Sequence, residues 1–248
     1  MEKVLVWDLP VRLFHWMLVL GFGLTYFIAK ILGEDNALFH DHMILGLTIG
    51  GLVALRVVWG FVGTRWARWS TLFHRPQAHA EYFKHVFRSD GKAHIGHNPA
   101  SSLAITVMLL LVLALAFTGY QYTQGNKSFK DIHPILANVL AILGSLHIVG
   151  VVLHQLVKRD RLVLSMVDGK KLANESDGIP KPATAAGLVL LVLAGILGGG
   201  LYANYNPQTG ATRWPILGAP IQLGETVGGE EGEGGAKEGQ GEQEERED

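Results

Sequence analysis

DIHPILANVLAILGSLHIVGVVLHQLVKRDR, residues 131–161, decides how the rest of the chain is read. From Pro134 to Leu156 it contains no Asp, Glu, Lys or Arg, and that run is long enough to cross a bilayer as one helix. Three histidines punctuate it: His133, His147 and His154. His133 and His147 are fourteen residues apart. At about 100° per residue they fall within about 40° of each other on one face, roughly 21 Å apart along the axis. His154, seven residues further on, returns to the same face. Ionisable side chains inside a membrane helix are rare and mark functional sites. Two imidazoles near opposite ends of one span point to two metal sites stacked across the membrane. We read these as two haem b groups, provided that other spans bring partner histidines to matching depths.

Composition agrees with a membrane protein. Of 248 residues, 48% are hydrophobic and 17% charged, with a mean hydropathy of +0.24, and the apolar residues cluster in long runs. The absence of cysteine excludes disulfides, covalent c-type haem attachment and thiolate-held clusters. A transition metal must then be held mainly by histidine, of which there are eleven. The net charge of −1 averages a basic body and an acidic tail.

Four more apolar runs surround the central one. The N-terminal stretch MEKVLVWDLPVRLFHWMLVLGFGLTYFIAKIL holds a run from Leu13 to about Ile31. It is too long for a signal-peptide core and is expected to stay as a first helix, with Trp7 and Trp16 in the interfacial belt and His15 near its start. After the acidic turn GEDNALFHDH (33–42), a second helix is expected from about His42 to Val62. Arg56 lies fourteen residues after His42 on about the same face; it requires an anionic partner, such as a haem propionate, or must snorkel to the interface. The loop 64–98 is basic, and its histidines His74, His79, His85, His94 and His97 are expected mostly as solvated polar residues. A third helix, about Ser101 to Tyr120, carries no histidine and no charge. The fifth run, 183–202, contains Gly195 and Gly199 in G-x-x-x-G spacing, suited to close helix packing.

The expected fold class is therefore an all-α membrane protein. A four-helix transmembrane bundle over 1–165 holds the two haems, a basic cytoplasmic linker covers 166–182, and a fifth transmembrane helix covers 183–203. An extracytoplasmic tail, 204–248, becomes acidic and disordered from about 224, where Gly, Glu and Gln replace apolar residues.

Charge orients the spans. One side receives Lys3, Arg12, six basic residues of loop 64–98 and six of segment 157–182, fourteen in all; the other receives six. The positive-inside rule then places the N-terminus in the cytoplasm, and five crossings put the tail in the periplasm of a bacterial inner membrane. His15 comes to lie on the cytoplasmic side, His42 and His133 on the periplasmic side, and His147 deep toward the cytoplasm. Four histidines thus form two level pairs, His15 with His147 and His42 with His133, as bis-histidine axial ligands. His40 rivals His42; two residues along a helix is about 200° of rotation, so both cannot face one haem.

These segments resemble the bacterial cytochrome b561 and nickel-hydrogenase cytochrome b superfamily of membrane dihaem proteins. The matching stretches are VWDLPVRLFHW (6–16), HMILG (42–46), LRVVWGFVG (55–63), GHNPA (96–100) and the His133/His147 pair. The resemblance implies His15, His42, His133 and His147 as haem ligands, with His42 preferred over His40 because the second-helix ligand precedes glycine as H-x-x-x-G, here His42 and Gly46. It also implies electron transfer between the membrane quinone pool and an extracytoplasmic c-type cytochrome or oxidoreductase subunit. Lipid surrounds the chain, and no nucleic-acid partner is expected. Proton exchange at a quinone needs a titratable group; His154, His97 and Asp160 are the cytoplasmic-side candidates, but each is read first as an interfacial or propionate-binding residue. The competing readings are a His-lined metal-ion transporter and a non-redox membrane anchor; a zinc protease lacks its H-E-x-x-H.

Overall fold

The computed structural model describes residues 2–85, 95–158 and 161–224. The acidic stretch from Glu225 onward, together with Arg88, Asp90, Lys92, His94, Arg159 and Asp160, lies outside the described residues. The chain is mostly helical, and five of its helices are long and apolar enough to cross a membrane. The first, α1 (Leu9–Phe27), starts four residues before the apolar run does. Asp8 explains the early start: its Oδ1 accepts the Val11 backbone N–H at 2.9 Å, and Pro10 sits in the first turn, where its missing N–H is not needed. The helix continues as one π-helical segment, Ile28–Leu32, ending at Gly33 with φ 88°, a conformation open to glycine.

The second span is α2 (Phe39–Val62). Short helices α3 (Trp69–Leu72) and α4 (Pro76–His85) then occupy the basic loop. The third span, α5 (Pro99–Thr123), begins where the Asn98 side chain accepts from Ser101 N at 2.8 Å. The central stretch forms α6 (Ile132–Lys158), followed by α7 (Leu162–Asp168). The last span is α8 (Thr184–Ala203). The bundle core joins Phe14, Ile49, Leu52, Val53, Leu109, Val112, Leu140, Leu190 and Ala194. α2 packs on α1, α5 and α8. Two glycines bring it close: a Cβ on Gly50 would lie 2.5 Å from Ala116 Cβ, and one on Gly51 would strike Leu197. α6 packs along α5 and, among the described residues, makes no comparable contact with α1 or α2.

Folded caps close both ends. On the N-terminal side, β1 (Glu2–Leu5) pairs antiparallel with β2 (Lys170–Ala173), Glu2 opposite Ala173 and Leu5 opposite Lys170. Val4, Val6, Trp7, Val11, Ala67 and Ala173 form a small core beneath them. Trp7 is therefore 3% exposed and donates from Nε1 to Ser165 Oγ at 3.2 Å. It does not sit in the lipid interface, because the strand pair carries it inward. The 166–182 segment, read from sequence as a linker, contributes the end of α7, the strand β2 and the Ile179 N–H to Leu5 carbonyl bond of 2.7 Å. At the opposite end, β3 (Ala211–Arg213) and β4 (Pro220–Gln222) form a hairpin. Its Ile221 and Leu223 pack on Ile44 and Leu201.

Candidate functional site

Two histidines from different spans meet at the end of the bundle capped by the β3–β4 hairpin. The rings of His42 on α2 and His133 on α6 have centroids 6.1 Å apart and planes at 82°. Their protonation follows from their partners. His42 Nδ1 lies 2.9 Å from the Thr25 carbonyl; a carbonyl only accepts, so Nδ1 carries the hydrogen. His133 Nδ1 lies 3.0 Å from Thr118 Oγ1. The Thr118 hydroxyl hydrogen goes to the Leu115 carbonyl at 3.2 Å, so Oγ1 accepts from His133. Both rings are Nδ1–H tautomers, and both Nε2 atoms keep their lone pairs. An Nδ1–H tied to an oxygen is the usual support of a metal-bound imidazole. Phe39 stacks on His42 at 5.2 Å. Gly119 lets the His133 ring lie against α5, since a Cβ there would approach its Cε1 to 3.1 Å.

His40 turns the other way. Its ring stacks on Tyr205 at 5.0 Å, and its Nε2 lies 3.3 Å from Asp41. His42, and not His40, faces His133.

At the opposite end, His15 stands on α1 with its ring 5.1 Å from that of Trp16, and His147 stands on α6; among the described residues their two rings are not in contact. His15 Nδ1 is sealed from solvent and has no partner. His97 is drawn into the cap at this end rather than left in solvent. Its ring packs on Trp7 at 4.6 Å, and its Nδ1 is also sealed and unpartnered. Burial, then the charges of Arg56, Lys171, His74 and His147, lower its pKa to about 3; it is neutral at pH 7. The expectation that His97 is solvated is overturned because Asn98 starts α5 there and draws the preceding residue into the cap. Arg56 is 5% exposed, so it does not snorkel. Its Nη2 donates to the Ala67 carbonyl at 3.1 Å, its guanidinium lies 5.4 Å from the Trp69 ring centroid, and its Nη1 is buried without a partner. His154 is not drawn into either pair; its Nδ1 meets Tyr82 Oη at 3.4 Å.

The donor set suits a haem better than a bare metal ion. Among the described residues no group of three or more His, Asp or Glu side chains gathers to hold an ion. Two imidazoles leave a four-coordinate zinc site incomplete, but they complete haem iron, whose macrocycle supplies the other four nitrogens. Two metal–imidazole bonds of about 2 Å plus the ring radii put the centroids about 6 Å apart, matching the His42–His133 spacing. A Cβ built on Gly46, one turn after His42, or on Gly144, three residues before His147, meets nothing within 4 Å.

Residues 6–169, about two thirds of the chain, match the family model described as prokaryotic cytochrome b561. The chain belongs to this family. A probable Ni/Fe-hydrogenase B-type cytochrome subunit of Rhizobium leguminosarum bv. viciae is 26% identical over 219 residues, covering 71% of this chain and 92% of that one. A protein of the same description from Rhodobacter capsulatus is 26% identical over 215 residues, covering 68% and 81%. The probable Ni/Fe-hydrogenase 1 B-type cytochrome subunit of Escherichia coli K12 is 29% identical over 152 residues, covering 52% and 64%. No solved structure matches the chain. As a prokaryotic cytochrome b561, the protein is a multi-pass membrane b-type cytochrome of electron transfer, and its cofactor is b-type haem. His15, His42, His133 and His147 all fall inside the matched range, whereas α8 and the β3–β4 hairpin lie beyond it.

Sequence reasoning missed Thr25 and Thr118, the oxygens that hold the imidazoles of His42 and His133. It also missed Asp8, whose Oδ2 accepts from Trp59 Nε1 at 3.0 Å and Thr64 Oγ1 at 2.6 Å. A signal for His97 was present: Asn98-Pro99 is a cap followed by a first-turn proline, which places the residue before it at a helix mouth.

Proposed function

We propose that the protein holds two b-type haems, one between His42 and His133 and one between His15 and His147. On this reading it carries electrons across the membrane between the quinone pool and an extracytoplasmic redox protein. The observation that carries the reading is the outer pair: two imidazoles from separate spans, 6.1 Å apart, each with Nδ1–H engaged by the preceding span. When bound, haem supplies reversible one-electron chemistry. The chain's own residues fix its place. The Thr25 carbonyl and Thr118 hydroxyl orient the outer rings and raise the basicity of Nε2. The apolar bundle core excludes water from between the spans. Arg56 offers a buried N–H to a haem carboxylate at the inner end.

The excess of Lys and Arg on the β1–β2 side supports a cytoplasmic N-terminus, with the hairpin and the acidic tail in the periplasm of a bacterial inner membrane. The partner on that side is an oxidoreductase subunit, by analogy with the relatives named as hydrogenase cytochrome subunits, or a c-type cytochrome. A lipid-soluble quinol or quinone is the membrane-side substrate.

The test is haem stoichiometry. Purified protein should give two haems b per chain by the pyridine haemochrome assay and a b-type reduced-minus-oxidised spectrum. His133→Ala and His147→Ala should each remove one haem and retain the other. Unchanged haem content in either variant refutes the pairing. Bound zinc or nickel without a visible haem spectrum would assign the histidines to metal-ion transport instead.

A further inference from the structure

We propose that the β3–β4 hairpin is a membrane-interface anchor, whose tip, Ile216 and Leu217, enters the lipid headgroup layer at the flank of α8. The proposal stands on α8 being a span and is independent of how many haems the bundle holds.

The two strands are fixed to the ends of three spans. Thr212 is buried, and its Oγ1 donates to the Leu201 carbonyl of α8 at 2.6 Å. Ile221 and Leu223 pack on Leu201 and on Ile44 of α2. Gln124, just past α5, donates from Nε2 to the Gln222 carbonyl at 3.0 Å. The depth of the hairpin therefore follows the depth of α8.

The tip reaches round that helix. A Cβ on Gly200 would lie 2.5 Å from Pro215 Cγ, so the proline ring rests on α8. Leu201 is 0% exposed and faces the bundle. Gly200 stands about 100° round the helix from it, which puts Pro215 on the flank. The 20 residues of α8 span about 30 Å, the thickness of the hydrocarbon core. Gly200 is three residues from the last of them, about 5 Å inside that end. Chain that touches Gly200 on the flank lies at headgroup level, not in bulk water.

The chemistry of the tip fits that level. Ile216 and Leu217 are each 80% exposed, more than any other large apolar side chain among the described residues. The acyl boundary would cover them and remove that area from water. The turn asks little of its surroundings: Pro215 and Pro220 have no N–H. Gly218, at φ 67°, donates its N–H to the Trp214 carbonyl at 2.8 Å, and the Trp214 N–H goes to the Ala219 carbonyl at 2.9 Å. Arg213, exposed at the base of the turn, is the one charged residue of 204–224. A lone cation beside a tryptophan and an apolar tip complements an anionic headgroup surface.

The experiment uses the full chain in vesicles of phosphatidylcholine and phosphatidylglycerol. The chain has no cysteine, so one nitroxide label is placed at Leu217→Cys. Gln208→Cys, exposed before β3, gives the water reference, and Val192→Cys, 60% exposed near the middle of α8, gives the lipid reference. Electron paramagnetic resonance reads collision of the label with oxygen, which partitions into lipid, and with a water-soluble nickel chelate. The label at 217 should meet nickel severalfold less often than the label at 208. It should meet oxygen more often than at 208 and less often than at 192. Adding Ile216→Ser should raise nickel contact at 217 severalfold, which shows that the native neighbour and not the label drives insertion. Arg213→Gln should raise it in these vesicles and leave it unchanged in phosphatidylcholine alone; a response blind to lipid charge overturns the headgroup role of Arg213. Each variant should keep the haem spectrum of the unaltered chain, which shows that it folds. Nickel contact at 217 equal to that at 208 overturns the anchor. Protection from both oxygen and nickel places the tip against protein and overturns the assignment to lipid.

Discussion

Thr118 has a single hydrogen to give, and it gives it to the Leu115 carbonyl. Its oxygen is therefore committed as an acceptor, and that commitment turns the His133 imidazole so that Nε2 is bare. Thr118→Val keeps the shape and removes the acceptor. Outer-shell partners of metal-bound histidine are worth about 10- to 100-fold in affinity. Thr118→Val should weaken the outer haem by about ten-fold and leave the inner one unchanged, read by haem titration with His147→Ala in the background. The histidines themselves were legible in the sequence, because helix periodicity turns a spacing of fourteen into a shared face. Their threonine partners were not: a lone hydroxyl in an apolar span most often bonds its own preceding turn, as Thr48 does to Ile44 and Thr106 to Ser102. Arg56 was read as either snorkelling or paired, and only its burial decides against the first.

Among the elements, α2 touches most of its neighbours, and its glycines divide by what they face. Gly50 faces Ala116 of α5 so closely that a side chain has no place. Gly46, one turn earlier, faces open space on the side of His42. The two positions therefore predict opposite outcomes. Gly50→Leu should destabilise the haem-free bundle by about 1–3 kcal/mol, the usual cost of overpacking. Gly46→Leu should leave the stability of the haem-free bundle unchanged and reduce the outer haem content. Thermal unfolding in detergent and the haemochrome assay read the two effects separately. The five spans were legible in the sequence from hydropathy alone. Their first residues were less so, because Asp8 and Asn98 cap helices outside the apolar runs. The strands β1 and β2 had no local signature at all: four residues each, they acquire meaning only by meeting across the length of the membrane domain.

For the molecule as a whole, α8 stands on α1 and α2, across the bundle from α6 and outside the stretch matched by the family. The orientation argued from charge can be read directly, because the chain has no cysteine of its own. Single substitutions Gln77→Cys and Gln208→Cys mark the two ends. A membrane-impermeant thiol reagent that enters the periplasm should label Gln208→Cys in intact cells and Gln77→Cys only after lysis. The reverse pattern would invert the topology.

The strand pairing between residues 2–5 and 170–173 also sets an order of events during synthesis. The first strand leaves the ribosome at once, yet its mate is translated only after four spans have been made. At about 5–20 residues per second, the opening segment must remain unpaired for roughly ten seconds or longer at the membrane surface. The N-terminal cap is thus a late closure, a latch that can fasten only once the histidine-bearing spans have been made.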